Sequence, residues 1–254
     1  MWIESHLKNQ AADGIEEAVA WHTVGIVADE PRGIGTGTAV LWKRRPLILT
    51  AWHVVKDNST ADLRFFFRPP GTLERSTPEE GAREGSLQLT PRIRIAINGC
   101  HSDEVKDIAA LEVSPELEKT QNLRFYGLSS NAATPNIGTT VAMMGYPDDI
   151  TRFVSGKAKA VFLSSQWSRR ARRRGALKDF DNRWSFLMDY PSAQIGRLPF
   201  GFSGCGIWFH KSTPKVWHPN LQLAGICTSY YRRSRMLSGL KVEAVAGFLE
   251  RILP

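Results

Sequence analysis

From residue 21 to residue 240 the chain breaks into short apolar runs separated by glycine, proline and charged turns. This punctuation constrains the fold more than any other feature. "WHTVGIVA", Trp21 to Ala28, alternates with Val24, Ile26 and Ala28 on one face, the period of a half-buried strand. "TAVLW" and "PLILT" follow, split by the charged turn Lys43-Arg44-Arg45. "LRFFF", "RIRIAI" and "IAALEV" complete a first set. "TVAMMGYP", "AKAVFL", "RWSFLMDY", "CGIWF" and "LQLAGICT" make a second. Many short strands with almost no helix between them predict an all-β sandwich or barrel. Helix is expected only at the ends. Residues 1–20 are Ala-rich with an apolar stripe at Ile15, Ala18 and Val19, and Lys241 to Leu253 place Val242, Val245, Phe248, Leu249 and Ile252 on one face. The expected organisation is a helical segment over 1–20, a first lobe over 21–120 and a second over 121–254.

A chain of 254 residues can bury a two-lobed core. It has no apolar run long enough to span a membrane and no basic-then-apolar start of a secretory signal. Three cysteines, Cys100, Cys205 and Cys227, make no disulfide framework, so a reducing, cytoplasmic setting is expected. The net charge of +8 is concentrated: "SRRARRRGALK", Ser168 to Lys178, carries five Arg and one Lys, leaving +2 for the rest. A run over Arg169 to Arg174 reads first as a solvated loop and second as a docking site for an acidic partner. It has no interleaved aromatics to stack bases, which argues against nucleic acid.

Two further motifs carry little chemistry. "GIGTGT", Gly33 to Thr38, leads into a strand rather than a helix, so it is not expected to cradle phosphate. The cysteines and histidines lack ligand-pair spacing, so no metal is expected.

"GFSGC", Gly201 to Cys205, sets a serine between glycines ahead of an apolar run. Taken alone it fits a turn into a strand as well as it fits a presented nucleophile. Two other positions decide between them. His53, in "LILTAWHVV", sits where an apolar strand must end, and Asp107, in "SDEVKDIAALEV", immediately precedes another; Asp103 is the alternative carboxylate. The order His53, Asp107, Ser203, with gaps of 54 and 96 residues, suits a base, its orienting acid and a nucleophile. Cys205 is a competing nucleophile, but the Gly-x-Ser-Gly register favours Ser203.

The stretches "GTGTAVLW…LILTAWHVV", "KDIAALEV" and "GFSGCGIW…LAGICTSY" together resemble the trypsin-like serine peptidases of the chymotrypsin fold, most closely bacterial members without disulfides. The resemblance spans about residues 20 to 253. It implies two six-stranded antiparallel β-barrels with an active-site cleft between them, and a serine endopeptidase that needs no cofactor and takes protein or peptide substrates. It implies His53 as general base, Asp107 as its orienting carboxylate and Ser203 as nucleophile. Backbone N–H groups of Gly201 and Ser203 are implied as the oxyanion hole, and Thr228 as a hydrogen-bond donor to Asp107. Arg197, Leu198, Phe200 and Tyr230 fall where such enzymes build the specificity pocket. An apolar or small residue before the scissile bond fits Leu198 and Phe200; an acidic one fits Arg197. The chain departs from the pattern at Phe202, where the resemblance has Asp or Asn, and at Cys205, where it has Gly. The alternative reading is a catalytically silent binding module of the same fold, docking an acidic partner through its Arg run.

Overall fold

The computed structural model describes residues 14–28, 34–67, 93–121, 123–147, 152–154, 157–160, 164–173, 177–190, 198–210 and 220–254. Residues 14–20 are helical. The remainder of the expected N-terminal segment, the Asp29–Gly33 turn, the end of "AKAVFL", Arg174 and Arg197 lie outside the described residues.

The first half forms one sheet. Its antiparallel path runs β4-β1-β2-β3-β6-β5, from β1 (Thr23–Ala28), β2 (Ile34–Trp42), β3 (Arg45–Thr50), β4 (Leu63–Phe66), β5 (Ile97–Asp103) and β6 (Ile108–Val113). A two-residue strand, β7 (Tyr126–Gly127), adds in parallel to β2. The sheet is a half-barrel rather than the closed barrel expected. The expected strand "RIRIAI" is only an isolated bridge, Ile93 to Phe65, before β5 begins at Ile97. Its isoleucines alternate between half-buried and exposed neighbours, so one face packs without a full ladder.

The second half closes. β8 (Thr140–Gly145), β11 (Ser164–Ala171), β12 (Ser185–Asp189), β13 (Gly206–His210), β14 (Leu221–Tyr231) and β15 (Met236–Lys241) form a six-stranded barrel in the order β11-β12-β15-β14-β13-β8. A separate hairpin pairs β9 (Arg152–Val154) with β10 (Lys157–Ala160). The Arg run is not wholly a loop: Arg169 and Arg170 belong to β11. The sequence reading missed this because five arginines hide the strand periodicity.

Among the described residues, the three largest of four apolar clusters organise the interior. One lies inside the first sheet around Val24, Ile48, Phe65 and Leu111. A second fills the barrel around Val141, Phe186, Phe202 and Ile207. The third joins the halves, combining Val40, Trp42, Leu47 and Leu49 with Trp208, Leu223 and the C-terminal helix Val242–Ile252 through Val245, Phe248 and Leu249. That helix is also tied to the first half by ion pairs from Arg251 to Asp103 and from Lys43 to Glu250, each 2.7–2.8 Å. Among the described residues no helix is long and apolar enough to cross a membrane.

Candidate active site

The strand register brings His53 to Asp107. Thr50, the last residue of β3, pairs with Ala109 near the start of β6. The chain beyond Thr50 turns into the short helix Trp52–Val55, and the chain before Ala109 is the turn from Glu104 to Asp107. Asp107 closes that turn with φ 53°, a left-handed conformation that aspartate tolerates better than most residues. Its carboxylate then takes both polar groups of His53: Oδ1 accepts from the backbone N–H at 2.9 Å and Oδ2 from Nδ1 at 2.8 Å. An ionised carboxylate only accepts hydrogen bonds, so Nδ1 carries the proton and Nε2 is left with a free lone pair. The imidazole is 42% exposed.

The rival carboxylate has other work. Asp103 accepts from Lys106 Nζ and Arg251 Nη2 at 2.7 Å. Burial pushes its carboxyl up, but those hydrogen bonds outweigh burial and hold it below the ordinary value.

Pro199 to Cys205 form two tight turns back to back. Phe202 N–H donates to Pro199 O at 3.2 Å, and Cys205 N–H to Phe202 O at 2.9 Å. Gly201 and Gly204 occupy the third position of each turn with φ of +91° and +90°, as type II geometry demands of glycine. Ser203 stands at the second position of the second turn, partly exposed. The amides of Phe202, Gly204 and Cys205 are satisfied, Gly204 N–H by Cys227 O at 2.7 Å. Among the described residues the amides of Gly201 and Ser203 have no acceptor, which leaves two nearby donors available. Phe202, where the resemblance has Asp or Asn, is buried in the barrel core at 4% exposure.

Two threonines of the first half hold these turns, and a third, Thr50, braces Thr36. Thr36 donates its backbone N–H to Ser203 O at 2.9 Å and its hydroxyl to Gly201 O at 2.6 Å. The same hydroxyl accepts from Tyr146 N–H at 3.1 Å, and Thr36 O accepts from Thr50 Oγ1 at 2.8 Å. Thr38 Oγ1 donates to Gly204 O at 3.1 Å. A Cβ on Gly204 would lie 2.0 Å from Thr36 O and 2.9 Å from Thr50 Cα, so only glycine admits this approach. Gly204 follows Ser203 directly, and Thr50 stands three residues before His53. Sequence reasoning missed Thr36. Its only signal was the pair of glycines flanking it in "GTGT", a motif read as a lead into a strand and assigned no chemistry.

Other expected residues are placed as follows. Thr228 donates its hydroxyl to Ser238 O at 3.3 Å and not to Asp107; the strand register turns Thr228 toward β15. Leu198 is half-buried, Phe200 is 56% exposed, and Tyr230 packs edge-on to Tyr190 with centroids 5.5 Å apart. Cys205 is fully buried, and burial pushes its thiol well above the ordinary range, which removes it as a nucleophile. In the Arg run, Arg170 reaches Pro135 O and lies over the Phe186 ring, so it is structural. Arg169 and Arg172 are exposed.

This two-lobed β architecture is shared with solved serine peptidase structures. The serine endoprotease from Yersinia pestis is similar with a TM-score of 0.57 at 16% identity over 96% of this chain, which spans 66% of that longer protein. The scabies mite inactivated protease paralogue S-I1 is similar at 0.59 and 17% identity, over 94% of this chain and 96% of that one. A Glu endopeptidase is similar at 0.53 and 17% identity, over 91% and 90%. At these identities the likeness shows the fold. The trypsin-like peptidase domain family matches residues 35–185, more than half of the chain, and the protein belongs to that family. The matched span contains His53 and Asp107 and ends before Ser203. No curated protein sequence matches.

Proposed function

We propose that the protein is a serine endopeptidase working through Ser203, His53 and Asp107. The observation that carries this reading is the doubly hydrogen-bonded His53–Asp107 pair, supported by the docking of the Gly201–Gly204 turns on Thr36 and Thr50 of the same half. A serine hydroxyl attacks a peptide carbonyl only if a base takes its proton as the bond forms. His53 Nε2 is that base, and it later returns the proton to the departing amine. Asp107 holds the tautomer and steadies the imidazolium. The amides of Gly201 and Ser203 donate to the tetrahedral oxyanion; one such donor is worth on the order of 3 kcal/mol in the barrier. Water then attacks the acyl-enzyme, with His53 again as base. Leu198, Phe200 and Tyr230 form the wall of the pocket before the scissile bond and favour an apolar residue there. Arg197 is the residue that would favour an acidic one, the preference named for the similar Glu endopeptidase. The setting is reducing and cytoplasmic, a reading supported by the free, buried thiols of Cys205 and Cys227.

The second reading is a silent binding module that docks an acidic partner through Arg169 and Arg172. It is favoured by the fold shared with an inactivated protease paralogue. Hydrolysis of a casein or peptide library by purified protein, lost in Ser203→Ala, supports the first reading. A protein that cleaves nothing in such a library but binds an acidic partner in a salt-dependent way supports the second.

A further inference from the structure

β14 carries an unpaired edge away from the candidate nucleophile. Its pairing with β13 runs from Leu221 to Ile226, and Cys227 takes over with hydrogen bonds to Gly204 and Cys205. Beyond Cys227, β15 covers one side, with Ser229, Tyr230 and Tyr231 opposite Ser238, Leu237 and Met236. Among the described residues no strand pairs with the other side of residues 228–231. An open strand edge is a template for an extended chain. Here it begins beside Ser203.

The far end of that edge is basic. Tyr231 leads into the turn Arg232-Arg233-Ser234-Arg235, closed by Ser234 Oγ donating to Tyr231 O at 3.3 Å. Arg232 and Arg233 are exposed, and among the described residues neither has an ion-pair partner. The connection between β11 and β12 folds against the same place. Phe180 lies edge-on to Tyr231 at 6.5 Å, and Arg173 lies over the Phe180 ring at 5.9 Å. The charges within reach of Tyr231 are Arg173 and Asp179. The carboxylate of Asp181 is taken by Arg183. Among the described residues, the cations therefore outnumber the carboxylates around this end of the strand.

We propose that the Arg232–Arg233 turn, at the far end of the open β14 edge, selects substrates with acidic residues at a distance from the scissile bond. The proposal rests on the peptidase reading of Ser203. Four residues separate Cys227 from Tyr231, roughly 13 Å at about 3.3 Å per residue. A peptide added to this edge advances at the same rise. Its side chains roughly three to five positions from the scissile bond, on the side that runs along β14, come level with Arg232 and Arg233. Asp or Glu there meets two guanidinium groups suited to carboxylates.

The test uses the full chain and internally quenched peptides of one neutral sequence, with two glutamates placed three to five residues from the scissile bond, on one side and then on the other. At low salt the wild type is expected to favour glutamates on one side by about tenfold in kcat/KM, carried by KM, the scale of two exposed ion pairs. The preference is expected to shrink as salt screens it. In the Arg232→Gln, Arg233→Gln double variant the ratio of acidic to neutral peptide falls to about one. Equal cleavage of both peptides by wild type, or a preference that survives in the double variant, overturns the proposal and leaves the peptidase reading standing. Anisotropy with Ser203→Ala protein reads the surface separately. Acid-selective binding to that protein, with no cleavage by wild type, overturns the peptidase reading and keeps the acidic docking surface. Binding without acid selectivity overturns the surface.

Discussion

The two halves of the site are built in different ways. His53 and Asp107 both come from the first half, delivered by neighbouring strands whose register, Thr50 opposite Ala109, sets their meeting. Two hydrogen bonds join them directly. Ser203 comes from the second half, but three carbonyls of its turns, Gly201, Ser203 and Gly204, are held by Thr36 and Thr38 of the first. His53 is positioned by its own sheet, whereas Ser203 is positioned by docking against the other one. Loosening the contact between halves should therefore silence Ser203 while leaving the His53–Asp107 pair intact.

The largest expected effects strike the reacting groups. Ser203→Ala and His53→Ala should each lower peptide hydrolysis by on the order of 10^5 or more, and the double variant should be little worse than either. Asp107→Asn should cost on the order of 10^4, because the tautomer reverses. Steady-state kinetics with one quenched peptide checks all four proteins. Gly204→Ala comes next: its Cβ would overlap Thr36 O, so the variant should lose either activity or solubility, and wild-type kinetics from it would refute the close approach.

Thr36→Val separates the two halves more finely. It removes the buried hydroxyl that Gly201 O and Tyr146 N–H share, at a cost of about 1–3 kcal/mol in stability. Its acylation rate should fall, whereas Thr36→Ser should recover most of it. The imidazole proton resonance of the His53–Asp107 pair should persist in both. A lost resonance in Thr36→Val would mean the base is not independent of the docking contact.

The smallest effect is acid sensitivity of the joint between halves. His22 stacks on Trp208 at 5.3 Å, meets the edge of Tyr126 and donates Nδ1–H to Arg124 O at 2.7 Å. Burial pushes its pKa below the ordinary value; the hydrogen bond to Arg124 O opposes this, as does the charge of Glu118, while the Arg124 charge acts with burial. The unfolded chain then binds a proton more readily than the folded one. The associated stability is present above pH 6.5, the ordinary value, and is lost as pH falls below it. Thermal melts between pH 7 and 5 should fall more steeply for wild type than for His22→Gln.

Much of this was legible in the sequence. The β class, the C-terminal helix and the meeting of His53 with Asp107 follow from apolar runs and the strand ends where those residues stand. Asp103 could not be set aside from sequence alone, because its partners Lys106 and Arg251 differ in separation by more than a hundred residues. Thr36 was invisible for the same reason: its role lies in hydrogen bonds to Gly201 and Tyr146, more than 100 residues away. The bond expected from Thr228 to Asp107 failed because a motif fixes a position in the chain, while a bulge in the β14–β15 register fixes where the hydroxyl points. Arg169 and Arg170 were read as loop because charge masked a strand whose partners lie across the barrel.

The most direct measurement is covalent labelling by a serine-reactive fluorophosphonate, followed over time by intact mass and located by peptide mapping, in wild type, His53→Ala and Thr36→Val proteins. The account predicts a single adduct on Ser203 in wild type, none on the same timescale in His53→Ala, and slowed formation in Thr36→Val with the fold retained by circular dichroism. A folded wild-type protein that takes no adduct, or one that labels Ser203 equally fast without His53, would contradict it.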